Sequence, residues 1–151
     1  MEPRYLERDI VASWCYTTLV EDKSAEGNFA EQLIQWGKIL FLTKMAFPDL
    51  DEAVLMRYTP SNYEWAIEHE DLVWQFIVKN GFLFKRSERE NANWFKEAPF
   101  TAGLPDKAPD RLGQFIGWQI VKSYIDQHSI TAEELIRLPY NELLQEYEIE
   151  D

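Results

Sequence analysis

The segment 109–127 constrains the fold more than any other, because it has helical spacing and apolar side chains on nearly every side. Its apolar residues are Leu112, Phe115, Ile116, Trp118, Ile120, Val121, Tyr124 and Ile125. A helix that is apolar all round lies at the centre of a soluble fold. Gly113 and Gly117 each cost about 1 kcal/mol relative to Ala in a helix interior. We therefore expect another backbone or a large ring to approach the bare side of this central helix.

The other periodic segments also predict helices, and no segment alternates apolar and polar residues long enough to predict a strand. A first helix follows Pro3, with Leu6, Ile10 and Trp14 on its apolar face. Further helices are predicted at 28–47, 49–57, 59–80, 87–98, 131–138 and 141–147, with an extended connector at 82–84. The sequence therefore predicts an all-α fold, a single domain over 1–151 in which an orthogonal array of helices packs around the central helix 109–127.

The charge of the chain disfavours several classes of partner. Fifteen Lys and Arg against 27 Asp and Glu give a net charge of −12, whereas nucleic acids and anionic lipids attract basic surfaces. We interpret the acidic balance as a source of solubility. No apolar run approaches the roughly 18–20 residues of a membrane span, so we expect no direct membrane insertion. The first residues show neither the apolar stretch of a signal peptide nor a lipid-attachment Cys.

The sequence offers little for catalysis or metal binding. Ser123 has no His and Asp at a recognisable spacing, and the single cysteine, Cys15, is interpreted as a packed hydrophobic residue. His69 lies among Glu64, Glu68 and Asp71, which share one helix face. That patch is either a weak divalent-cation site or a solvated helix face, and the spacing favours the latter. We predict no catalytic residue, no metal site and no cofactor.

Four residues are candidates for partner binding or for anchoring a loop: Phe100, Leu104, Arg111 and Gln119. Residues 99–109 hold three of the seven prolines, and Phe100 and Leu104 are apolar residues on this loop, where a partner-binding surface would place them. Arg111 either anchors the loop through carbonyls or a carboxylate, or lines a pocket that reads an acidic group or a C-terminal carboxylate; we favour anchoring. Gln119 is interpreted first as a connector between helices and second as a pocket residue.

Three blocks of the chain carry a family resemblance. They are 33–42 followed by Phe47–Pro48; 58–60 with 64–65, 69–70 and 73–76; and, as the most specific, 98–101 with 108–124. Together they resemble the C-terminal half of gliding-motility-associated lipoproteins of the GldB type, from about residue 28 to the end. The first 27 residues, a helix and a loop, match weakly. The resemblance implies a lipid-anchored envelope or periplasmic protein of gliding bacteria, associated with a secretion machinery and with a protein partner there.

That family is also distantly similar to zinc proteases of the HExxH type. This chain has no HExxH; its two histidines, His69 and His128, lie on different predicted helices, and Trp36 stands where a third ligand would be expected. We therefore predict a non-catalytic domain that acts in protein–protein interaction or structural support. Two alternatives remain open: the C-terminal half of a metallopeptidase-like protein whose HExxH half precedes Met1, and a free-standing binding module without an envelope role.

Overall fold

The structure, a computed structural model, describes residues 5–20, 27–95, 104–105 and 107–147. Within these residues it contains helices and no strands, which confirms the all-α prediction. The helices are α1 (Leu6–Val20), α2 (Phe29–Ala46), α3 (Glu52–Leu55), α4 (Pro60–Glu68), α5 (Glu70–Lys79), α6 (Glu88–Ala92), α7 (Leu112–Gln127), α8 (Ala132–Arg137) and α9 (Tyr140–Gln145), with a 3-10 turn at Phe82–Phe84.

Helix α7 is the central helix, as predicted. Nine of its residues are buried, and it packs against α2, α5 and α9. It begins at Leu112, three residues later than Pro109, where the sequence placed its start. The reason is Arg111, whose backbone is left-handed (φ 54°), so that the regular helix can begin only after it.

Glycines let α7 approach its neighbours, and this confirms the expected close contact. A Cβ atom added to Gly117 would lie under 3.0 Å from the carbonyl oxygen of Leu33, and one added to Gly37 equally close to the carbonyl oxygen of Gly117. Helices α2 and α7 therefore meet backbone to backbone. At the start of α7, a Cβ on Gly113 would lie 2.6 Å from the ring of Phe95.

A cluster of aromatic rings closes the core beside this helix pair. Phe29 at the start of α2 contacts Phe82, Trp94 and Phe95, with ring centroids 5.7, 5.7 and 5.3 Å away. The backbone N–H of Phe29 also donates to the carbonyl oxygen of Lys85. These contacts attach the irregular segment 82–95 to the beginning of α2.

The structure corrects three predicted elements. The helix predicted over 59–80 is divided at His69, where α4 ends and α5 begins. The predicted extended connector 82–84 is a 3-10 turn that follows Gly81, whose left-handed backbone (φ 65°) ends α5. The helix predicted from Ser87 ends at Ala92, because Trp94 and Phe95 turn into the core.

Helix α1 packs with the opposite side from the one its apolar pattern predicts. Leu6, Ile10 and Trp14 are 46%, 61% and 68% exposed. The buried side instead carries the charged residues Arg8 and Asp9 and the small residues Ala12 and Cys15. The small residues Ala12 and Cys15 pack against Ile39 of α2, and this burial raises the pKa of the Cys15 thiol. Cys15 is a packed residue, as predicted.

Candidate functional site

A cavity of about 340 Å³ lies between α1, α2, the turn after α3 and the start of α7. Three arginines from three distant parts of the sequence line it, and we call it the arginine cavity. Its lining residues are Arg8, Ala12, Ser13, Tyr16, Thr17, Trp36, Arg57, Arg111 and Gln114. A volume of this size lies at the lower end of the roughly 300–1,000 Å³ typical of ligand pockets.

Asp9 holds two of these arginines together. Its carboxylate accepts a hydrogen bond from Arg8 Nη1 at 2.8 Å and another from Arg57 Nη1 at 3.0 Å. Arg8 Nε donates to the carbonyl oxygen of Leu55 at 2.9 Å. The residues Arg8 and Asp9 are only 7% and 8% exposed, so this network is buried and draws the charged side of α1 onto the end of α3.

Arg57 and Arg111 share an unusual backbone conformation. Their φ angles are 59° and 54°, and among the described residues no other residue apart from glycine has a positive φ. This conformation costs an L-residue about 1–2 kcal/mol. Arg111 Nη2 donates to the carbonyl oxygen of Arg57 at 3.0 Å, and its Nε donates to Asp110 at 2.9 Å. Strained residues concentrate where a particular side-chain placement is needed, and here both strained residues face one cavity.

Among the described residues, the arginines of the cavity outnumber the carboxylates paired with them. The three guanidinium groups are paired with two carboxylates, those of Asp9 and Asp110. Burial lowers the pKa of Arg8, the charges of Arg57 and Arg111 push it the same way, and Asp9 opposes the shift. Arg57 and Arg111 therefore lie close enough to Arg8 for their charges to disfavour its protonated form. An anion in the cavity would relieve that effect.

The other lining residues of the cavity include two aromatic rings and an amide. Tyr16 and Trp36 contact each other with ring centroids 5.4 Å apart. Gln114 is 6% exposed, and its Nε2 donates to the carbonyl oxygen of Phe95 at 2.7 Å. Its Oε1 atom is buried and accepts no hydrogen bond from the described part of the chain. A buried acceptor without a donor costs about 1–3 kcal/mol, so the Gln114 side chain carries an unsatisfied hydrogen-bond acceptor next to the cavity that it lines.

The candidate residues predicted from the sequence do not meet in one place. Arg111 lies in the arginine cavity, and its hydrogen bonds hold Arg57 and Asp110. Leu104 is half-buried against the main core, and Phe100 lies outside the described residues. Sequence reasoning missed Arg8, Arg57 and Gln114. For Arg8 the sequence did contain a signal, because Arg8 lies on the same helix face as the small residues Ala12 and Cys15. Small residues on one face indicate a side that can pack closely.

Comparison with known proteins gives the family. The family model described as gliding motility protein GldB matches residues 1–149. The chain belongs to the GldB family. The match includes the first 27 residues, so the family region extends beyond the 28–151 that the sequence blocks suggested. No curated protein and no solved structure matches the chain.

The last predicted candidate, Gln119, lies apart from the arginine cavity in this GldB family member. Its Nε2 donates to Glu70 at 3.1 Å, and Glu70 also accepts a short hydrogen bond from the hydroxyl of Tyr147. Gln119 therefore joins α7 to α5 and to the end of α9. A second cavity of about 370 Å³ borders these groups.

A neighbouring carboxylate, Glu52, joins α3 to α4 and α7. It accepts hydrogen bonds from the hydroxyl of Tyr63 and, at 2.9 Å, from Lys122 Nζ. Burial alone would raise the pKa of Glu52, but the hydrogen bonds from Tyr63 and Lys122 outweigh burial and hold the pKa below its ordinary value. These partners make Glu52 a structural connection between helices.

The acidic patch around His69 is divided between two helices. The break at His69 places Glu64 and Glu68 on α4 and Asp71 on α5. His69 stacks on Trp65 with ring centroids 4.2 Å apart, and its Nδ1 hydrogen-bonds to the carbonyl oxygen of Trp65. Across the described ranges, no group of three or more His, Cys, Asp and Glu is placed to hold a metal ion. The described helices also include none long and apolar enough to cross a membrane.

Proposed function

We propose that the chain is a non-catalytic interaction domain of a gliding-motility lipoprotein of the cell envelope, and that the arginine cavity is where it contacts a protein partner. Membership of the GldB family supports the motility role. The lipoprotein designation of that family supports the envelope location. The observation that carries the proposal is the cavity itself, in which three arginines of an acidic protein converge.

The chemistry of the cavity favours binding over catalysis. Arginine guanidinium groups stay protonated in proteins, so they hold anions but do not transfer protons. Among the described residues that line the cavity, no His, Asp or Glu is present to act as a base for the hydroxyl groups of Ser13 and Thr17. Thr17 also donates its hydroxyl to the carbonyl oxygen of Ser13 at 3.0 Å.

The segment 99–109, which the sequence analysis singled out, is expected to take part in the same partner contact. It leads into Arg111, which lines the cavity. Leu104 packs partly against the core, so a change there would disturb folding as well as binding. Phe100→Ser is therefore the variant for this loop, and the expected result is weaker partner capture with an unchanged melting temperature. An equal loss of folding and binding would refute the surface assignment.

The function is tested in a gliding bacterium in which the full-length protein is replaced by variants. A photo-crosslinking residue in place of Ser13, which is exposed and borders the cavity, is expected to capture one defined envelope protein. Arg57→Gly is expected to abolish that crosslink and to impair gliding at normal protein abundance. Arg86→Gln, which removes an exposed arginine outside the cavity, serves as the control. Normal gliding and an unchanged crosslink in the Arg57 variant would overturn the proposal.

A further inference from the structure

We infer that the arginine cavity binds the C-terminal carboxylate of its protein partner, together with the last amide N–H of that chain. The inference rests on the proposed function and names the part of the partner that the cavity recognises. Three observations carry it: the charge of the cavity, the unpaired oxygen of Gln114, and the size and apolar wall of the space.

Each of the three arginines keeps at least one hydrogen-bond donor that is not used within the described residues. Within the described residues, Nη2 of Arg8, Nη2 of Arg57 and Nη1 of Arg111 donate no hydrogen bond. A guanidinium group presents its N–H groups in a planar fork that matches the two oxygens of a carboxylate. The guanidinium groups of the cavity outnumber their paired carboxylates by one, so a single carboxylate neutralises the cluster.

The amide of Gln114 distinguishes a chain terminus from a bare anion. Because Nε2 of Gln114 is committed to the carbonyl oxygen of Phe95, its Oε1 remains an acceptor. A peptide terminus carries both features side by side, a carboxylate and the N–H of its last amide. Inorganic phosphate has no N–H group, and as a dianion it would exceed the single unpaired positive charge.

The size of the cavity suits a terminal residue. A space of about 340 Å³ has room for one or two residues, and Ala12, Tyr16 and Trp36 give it an apolar wall. Apolar pockets beside a carboxylate site favour a hydrophobic last side chain. The ligand class is therefore a peptide that ends in an apolar residue with a free carboxylate.

The test uses the purified full chain and four probes: acetyl-Ala-Leu as the free acid, the same peptide as its C-terminal amide, the free acid with a methyl group on the last amide nitrogen, and inorganic phosphate. Affinity is measured by NMR titration, which also reports the Gln114 side-chain amide directly. The free acid is expected to bind, and each of the other three probes is expected to bind about tenfold more weakly, the effect of one lost charge-assisted or buried hydrogen bond.

Protein variants locate the site. Arg57→Gly removes one guanidinium group, and glycine adopts the left-handed backbone at position 57 without strain. The affinity of the Arg57→Gly variant for the free-acid peptide is expected to be about tenfold lower than that of the wild type. Arg86→Gln removes the same charge outside the cavity and is expected to bind as the wild type does. The comparison of acid with amide needs only the wild-type chain, so it stands even if a variant unfolds.

Several results would overturn the inference. They are equal binding of the acid and amide peptides, tighter binding of phosphate than of the acid peptide, and no binding of the acid peptide at millimolar concentration. The proposed function fails separately. If the acid peptide does not bind but the crosslink at Ser13 still depends on Arg57, the interaction role stands and the carboxylate assignment falls.

Discussion

The two faces of α2 are packed in different ways. Towards α7, the backbones meet at Gly37 and Gly117. Towards α1, Ala12 and Cys15 pack against Ile39 and the ring of Tyr16 contacts that of Trp36, while Arg8 and Asp9 are buried charged residues on the same side of α1. One face of α2 is therefore a close backbone contact, whereas the other packs through side chains against α1, which also carries the buried pair Arg8 and Asp9.

The two kinds of packing have different consequences: one stabilises the fold, and the other leaves a cavity that can bind a ligand. A contact between glycines leaves no space, since any added atom meets a backbone. A contact built on arginines leaves a cavity, because long side chains hold the helices apart while their charged ends pair. The α2–α7 pair is the rigid scaffold, and the arginine cavity lies beside it, beneath α1.

The largest effect is expected at the α2–α7 contact. In an unobstructed helix, Gly117→Ala would stabilise the chain by about 1 kcal/mol through helix propensity. Here the added methyl group meets the carbonyl oxygen of Leu33, so we expect a loss of about 3 kcal/mol or more in the free energy of unfolding. Urea titration measures it. Gly81→Ala is the control, because nothing lies within 4 Å of its added Cβ and only the left-handed backbone penalty of about 1 kcal/mol applies. A Gly117→Ala variant that is more stable than the wild type would contradict the close backbone contact between α2 and α7.

A smaller loss is expected on the other face of α2, from Asp9→Asn. The amide no longer compensates the charges of Arg8 and Arg57, and hydrogen bonds to charged groups contribute about 1.5–3 kcal/mol. We expect a loss of about 2 kcal/mol in unfolding free energy, measured by urea titration. Asp49→Asn, at an exposed position, is the control and should change little. Equal stabilities of the two variants would show that the buried network does not hold α1.

Glu52 is a charged contact on the core side of the molecule, and its contribution to the free energy of unfolding is expected to depend on pH. Its pKa in the folded protein lies below the ordinary value of 4.5, so its contribution is full above that value and is lost as the pH falls through the folded pKa. Glu52→Gln is therefore expected to be less stable at pH 7 and to lose less stability than the wild type on acidification to about pH 3. Urea titrations at both pH values measure the difference. Parallel losses in both proteins would contradict the assignment.

The smallest effect is expected on the outer face of α1. Ile10 is 61% exposed, whereas Ile39 of α2 is fully buried. Ile10→Ala should change the unfolding free energy by no more than about 0.5 kcal/mol, and Ile39→Ala should cost about 2 kcal/mol. Thermal unfolding of the pair measures both. Comparable losses would mean that α1 buries its apolar face after all.

The packing of α7 could be predicted from the sequence, whereas the packing of α1 could not. Helix α7 was predictable as the central helix because its apolar residues cover every side, and Gly113 and Gly117 predicted a close contact. The orientation of α1 was not predictable, because a prediction from hydrophobic periodicity places charged residues on the side that faces water. Arg8 and Asp9 are buried instead, since each satisfies the other.

The candidate site was only partly predictable for a similar reason. Arg111 could be singled out by its place at the start of α7, and a carboxylate-reading pocket was one of its two interpretations. Arg8 and Arg57 could not be joined to it, because they are 103 and 54 positions away in the chain and only the tertiary fold brings them together. The left-handed backbone of Arg57 and Arg111 has no sequence signal, since glycine and asparagine are the residues that ordinarily adopt it.

The most direct test of this account is native-state hydrogen exchange measured at increasing denaturant. The account predicts that amides of α2 and α7 exchange only through global unfolding, while those of α1 exchange through a separate opening of lower free energy. Asp9→Asn should lower the opening free energy of α1 by more than it lowers the opening free energies of α2 and α7. Exchange of all three helices in a single step, with the same free energy in the wild type and in the Asp9 variant, would contradict it.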